Sequence, residues 1–149
     1  MATPGGRRSL RDLSVCSGRR SLDDLSAPWR EAQRENVMPN LFRDLPDASA
    51  AEVFTSLLER PGCRIERIVS QGQTTPAEAP WRQAHEEWVV LLRGTARIAL
   101  EGREVVLEPG DTLFIPADTE HWVTYTDPAV ATVWLAIHLG AVDGTPAPA

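Results

Sequence analysis

Short apolar runs, several of them alternating with polar residues, are separated by Gly and Pro turns from residue 52 to residue 139. Side chains on a strand alternate between faces, so this two-residue period predicts half-buried strands. Glu52 to Glu59 alternates well enough for a strand, and a short helix capped by Ser49 is the alternative over the same residues. Arg60-Pro61-Gly62-Cys63 favours the strand, because Pro fixes φ and Gly accepts positive φ at the centre of a type II turn. Cys63 to Val69 then returns as the second arm of a hairpin.

Strand signals continue after a loop from Gln71 to Pro80: Glu87 to Leu92, Ala96 to Leu100, Glu104 to Leu107, Thr112 to Ile115, His121 to Tyr125 and Ala131 to Leu139. Gly94, Glu101-Gly102 and Pro109-Gly110-Asp111 separate four of them as turns. Many short strands at even spacing predict an all-β fold, an antiparallel sandwich or barrel. Ahead of them, Asn40 to Pro46 reads as a lead-in segment packing Leu41, Phe42 and Leu45 against the sheets.

The flanks differ. Arg7-Arg8-Ser9-Leu10-Arg11-Asp12-Leu13-Ser14 nearly recurs as Arg19-Arg20-Ser21-Leu22-Asp23-Asp24-Leu25-Ser26, and two copies are too few for a solenoid. Residues 1–37 are polar, of mixed charge and poor in large apolar side chains, which predicts a disordered tail or an extension from an upstream start ahead of Met38. A peptide that recruits a partner is the alternative. Residues 38–139 form the expected domain, and 140–149 a second disordered tail.

A chain of 149 residues is long enough for one core without disulfides, and Cys16 and Cys63 form no framework. The net charge of -6 argues against a nucleic-acid surface, since all 15 basic residues are Arg but 21 acidic residues outnumber them. No secretory signal or membrane span is visible, so the expectation is a soluble, cytoplasmic protein without a membrane partner. No Gly-x-Ser-x-Gly elbow appears, and the glycines are spaced as strand turns rather than as a phosphate-cradling loop.

Candidate chemistry gathers in two blocks, Glu87-Trp88-Val89-Val90-Leu91-Leu92-Arg93-Gly94 and Pro109 to His121. The blocks resemble the motifs of the cupin family, G-x5-H-x-H-x3-4-E-x6-G and G-x5-P-x-G-x2-H-x3-N. Glu87 and Gly94 fit the end of the first, and Gly110, Pro116 and His121 fit the second at the same spacing. The paired histidine positions hold Trp81 and Gln83, the leading glycine is Thr75, and Asp118 and Tyr125 replace the last glycine and the asparagine. The resemblance covers residues 64–138 and implies a jelly-roll β-barrel with His121 facing inward. It also implies a divalent transition metal (Zn, Mn, Fe, Ni or Cu), a small-molecule ligand and, by analogy, a homodimer.

Gln83, His85, Glu87 and Val89 share one strand parity, so His85 turns inward if Glu87 does. The candidate metal set is therefore His85, Glu87 and His121, with Gln83 as a weak amide ligand. Such a centre suits an isomerase or an oxygenase. In the bland alternative His121 bonds Glu87 without a metal, and the protein is a metal-free binding or sensory module. Trp81 is expected to wall the substrate pocket and Tyr125 to share it. His138, flanked by apolar residues, reads as a core or rim histidine rather than a ligand.

Overall fold

The computed structural model describes residues 39–140, so both flanking segments lie outside the described residues. Eight strands follow in order: β1 Val53–Arg60, β2 Cys63–Ser70, β3 Glu86–Arg93, β4 Ala96–Leu100, β5 Arg103–Leu107, β6 Thr112–Ile115, β7 His121–Thr126 and β8 Thr132–Leu139. They form a five-stranded sheet, β1-β2-β8-β3-β6, and a three-stranded sheet, β5-β4-β7. Every strand pairing is antiparallel. The 52–59 segment is thus a strand and not a helix, and Arg60 pairs with Cys63 across a turn whose Gly62 has φ of 78°.

The sheets pack face to face because β3, β4, β5 and β8 turn apolar residues toward one another at one end of the layers. Leu91 and Trp134 from the larger sheet meet Ala96, Ile98, Leu100 and Leu107 from the smaller one in a single buried cluster. Burial of this kind contributes roughly 25 cal/mol per Å² and holds the two layers together. Gly94 joins β3 to β4 at φ 86°, where a Cβ would lie 2.7 Å from Thr132 Oγ1, so the turn and the close approach both require glycine.

One expectation about packing is corrected. Phe42 is 48% exposed while Leu41 and Leu45 are half-buried, and the buried residue nearby is Ala48, just past the lead-in segment. That segment is tied down through its backbone: the Leu41 and Arg43 carbonyls accept from Arg67 Nη1, so Phe42 does not have to anchor it. Among the described residues no helix is long and apolar enough to cross a membrane.

Candidate functional site

The register of the five-stranded sheet arranges its inner face in rows. Ile68, Trp134 and Leu91 align across β2, β8 and β3 as an apolar row. Four residues nearer the other end of β8, Arg64, His138, Glu87 and Ile115 align across β2, β8, β3 and β6. A row of mostly charged or titratable groups on an inward face is costly unless each group is paired. Here the pairs exist.

One set of contacts joins the two sheets. His121 opens β7 opposite Leu100, and its backbone exchanges both hydrogen bonds with Trp81, so the two side chains share a face. Glu87 is 7% exposed and His121 5%. Gln83 Nε2 donates to Glu87 Oε2 at 2.5 Å, and His121 Nε2 lies 4.0 Å from the same oxygen. His121 Nδ1 is 3.1 Å from the Thr119 carbonyl, which can only accept. Nδ1 therefore carries the proton, and in the neutral ring Nε2 presents a lone pair toward the carboxylate.

A second set lies beside the first. His138 Nε2 is 3.2 Å from Glu66 Oε2, and His138 Nδ1 is 3.0 Å from His85 Nε2. The Glu66 carboxyl is held below its ordinary range, chiefly by the His138 hydrogen bond, with Arg64, His138 and His85 adding favourable charge against the cost of burial. An ionised Glu66 accepts from His138 Nε2–H, which leaves His138 Nδ1 to accept from His85 Nε2–H. All three histidines of the chain are thus buried at this end of the fold.

The structure brings Glu87, His121 and Gln83 together, with the Trp81 backbone pairing that of His121, and holds His85 on His138 instead. Phe54 stands beside Trp81, ring centroids 6.2 Å apart. Tyr125 is corrected. It pairs with Arg97, whose guanidinium lies 5.4 Å from its ring on the outer face of the smaller sheet. A register shift between Arg97 and Ile98 leaves Thr124 unpaired as a bulge, which reverses the alternation; Thr126 turns inward instead, 2% exposed. Asp118 has φ of 59°, the left-handed region that Asp tolerates better than most residues, so it serves where the motif has glycine.

Arg64, Glu66 and His138 are the site residues that sequence reasoning missed. Their signal was strand parity in Arg64-Ile65-Glu66 and Trp134-Leu135-Ala136-Ile137-His138. It stayed unused because the face that each parity of β2 turns inward is set by its pairing with β8. The metal set does not assemble in full: among the described residues no three His, Cys, Asp or Glu side chains are grouped to hold an ion. Two of the motif's ligand positions carry an indole and a neutral amide, and His85 is engaged by His138. The donors present do not complete the family's ligand set.

An antiparallel two-sheet fold with a carboxylate and an imidazole facing each other between the layers defines a small cupin-type protein. The cupin-domain family model matches residues 67–138. A protein of Ralstonia eutropha JMP134, provisionally named a mannose-6-phosphate isomerase, is 43% identical; the match covers 70% of this chain and 98% of that one at a TM-score of 0.67. The chain belongs to the cupin family. An RmlC-like cupin with a double-stranded β-helix fold from Methanocaldococcus jannaschii shares the fold at 14% identity, 66% and 85% coverage and a TM-score of 0.53. A cupin-superfamily protein of Desulfitobacterium hafniense DCB-2 does so at 21% identity, 68% and 94% coverage and a TM-score of 0.53. No curated protein matches.

Proposed function

We propose that this cupin binds a small hydroxy-carbonyl compound between its sheets and moves protons on it, an isomerase-type reaction. The observation that carries the reading is the Glu87–His121 pair, buried and separated by 4.0 Å, too far for a direct hydrogen bond. A substrate oxygen or C–H group set against that pair meets a carboxylate and a lone-pair nitrogen at once. Glu87 takes the proton from the carbon next to the carbonyl and returns it to the neighbouring carbon. His121 Nε2 takes the hydroxyl proton and delivers it to the former carbonyl oxygen, while the Thr119 carbonyl steadies the imidazolium through Nδ1–H. No proton or electron is gained or lost overall. The provisional name of the Ralstonia relative supports the reaction class, and Trp81 with Phe54 supplies an apolar wall.

The test is deuterium incorporation from D2O at the carbon next to the carbonyl of mannose 6-phosphate and fructose 6-phosphate. Incorporation by the wild type that falls about 100-fold or more in Glu87→Gln is expected, the scale of a general base. Wild-type incorporation no faster than that of buffer sinks the assignment to this substrate pair.

The second reading is the divalent metal. The same pair supports it in part, because a His121 lone pair and a carboxylate oxygen facing each other supply two donors, although the described residues bring no third His, Cys, Asp or Glu to them. Glu87 and His121 would hold it, with Gln83 as a weak third donor, and it would polarise the carbonyl as a Lewis acid. Stoichiometric uptake of Zn, Mn, Fe, Ni or Cu, abolished in His121→Ala, would replace the side-chain reading with this one.

A further inference from the structure

The second polar set contains a group that the chemistry above does not use. Arg64 lies on the inner face in the same row as His138 and Glu87. Its side chain is only 14% exposed, and its Nε is 3.2 Å from Glu66 Oε1. That contact lacks hydrogen-bond geometry, and Nε is a buried donor without a hydrogen-bond partner. Neither terminal nitrogen of Arg64 hydrogen-bonds to another described residue. A guanidinium has five N–H donors in a flat fork, and burying even one of them without an acceptor is costly. Glu66 balances the charge of Arg64 and leaves its Nε–H unmatched.

We propose that Arg64 is an anion anchor, the subsite for a carboxylate or phosphate group carried by the ligand. The fork matches the paired oxygens of either group, which a point charge would not. Arg64 and Glu87 stand two strand spacings apart, roughly 10 Å between Cα atoms. A ligand gripped by Arg64 at its anionic end would therefore present a hydroxyl or carbonyl to Glu87 and His121 a few carbons away. The substrate class is a short hydroxy- or oxo-compound with one terminal anionic group. This inference rests on the reading of the Glu87–His121 pair as the reacting end of the ligand site, and it adds the opposite end.

The test uses the full chain and two simple probes, inorganic phosphate and succinate, with binding followed by calorimetry and by protection against thermal unfolding. Saturable binding of at least one probe is expected, and which one binds tells phosphate from carboxylate. Arg64→Gln should weaken it by roughly tenfold or more, the loss of charge-assisted hydrogen bonds, and Arg64→Lys should recover part of it. Glu66→Gln, which removes the competing carboxylate and leaves Arg64 in place, should tighten it. That variant keeps the assignment testable even if Arg64→Gln does not fold. The anchor is overturned if neither probe binds the wild type saturably, if Arg64→Gln binds as the wild type does, or if Glu66→Gln weakens binding. Deuterium incorporation reports separately on the reacting end. Probe binding with no incorporation sinks the isomerase reading and spares Arg64, whereas incorporation unchanged in Arg64→Gln sinks the anchor alone.

Discussion

The inner face of the five-stranded sheet has two ends built on the same strands and used in opposite ways. At one end Leu91 and Trp134 are 0% and 4% exposed and pack on Ile98, Leu100 and Leu107 of the facing sheet. At the other, Arg64, Glu66, Glu87 and His138 occupy equivalent inward positions, and Glu87 faces His121 of the smaller sheet. Apolar packing gains stability in proportion to area, while buried charge returns little net stability even when paired. The difference teaches where fold and function reside: the apolar end holds the sheets together, and the polar end is kept for what it binds.

Leu91→Ala tests that division with the largest expected effect. Truncating a fully buried leucine should cost about 2–5 kcal/mol in chemical denaturation. A loss below about 1 kcal/mol would mean the core lies elsewhere. Gly94→Val should come next, since its new side chain meets Thr132 and the backbone has φ of 86°. Gly110→Val should cost less, about 1 kcal/mol, because φ is 98° but nothing lies within 4 Å of the added Cβ. Denaturation midpoints in the reverse order would break the account of the β3–β4 turn.

The two ends also contain carboxyls shifted in opposite directions. Glu66 is depressed, so its contribution is present above its unfolded value near 4.5 and is lost as pH falls through the lower folded value. Glu52 accepts a hydrogen bond from Ser70, which in turn accepts from the Trp134 indole. Burial raises Glu52, so its contribution is complete below about pH 4.5 and is lost as pH rises through the higher folded value. Glu66→Gln should therefore be less stable than the wild type at neutral pH, with the gap closing in acid. Glu52→Gln should be more stable at neutral pH, and its gap should also close in acid. Denaturation curves from pH 3 to 8 check both signs; equal gaps at every pH would show that neither carboxyl titrates as described. The smallest effect is expected at Tyr125. Tyr125→Ala should stay within about 0.5 kcal/mol and leave ligand binding unchanged, because its ring lies on the outer face.

Much of the fold was legible because strand period and turn chemistry are local. Pro61-Gly62 marked the first hairpin, and the E-x6-G and G-x5-P spacings placed Glu87 and His121 at strand starts. What escaped was set by pairing between distant strands. Nothing in the sequence around His138 says that it faces Glu87 across one ladder and Arg64 across the other. The bulge at Thr124 was equally silent, and it alone moved Tyr125 from the expected pocket to the surface. His85 lies just before β3, is buried, and bonds to His138, a residue read as packing.

The central claim is that the polar end serves a bound molecule rather than the fold, and His121 tests it most directly. Deuterium incorporation into mannose 6-phosphate and fructose 6-phosphate should be measured on His121→Ala at a temperature where both it and the wild type are folded. The account predicts that the variant folds with a stability within about 1 kcal/mol of the wild type and loses incorporation about 100-fold or more. A variant that unfolds readily, or one that incorporates deuterium at the wild-type rate, would contradict it.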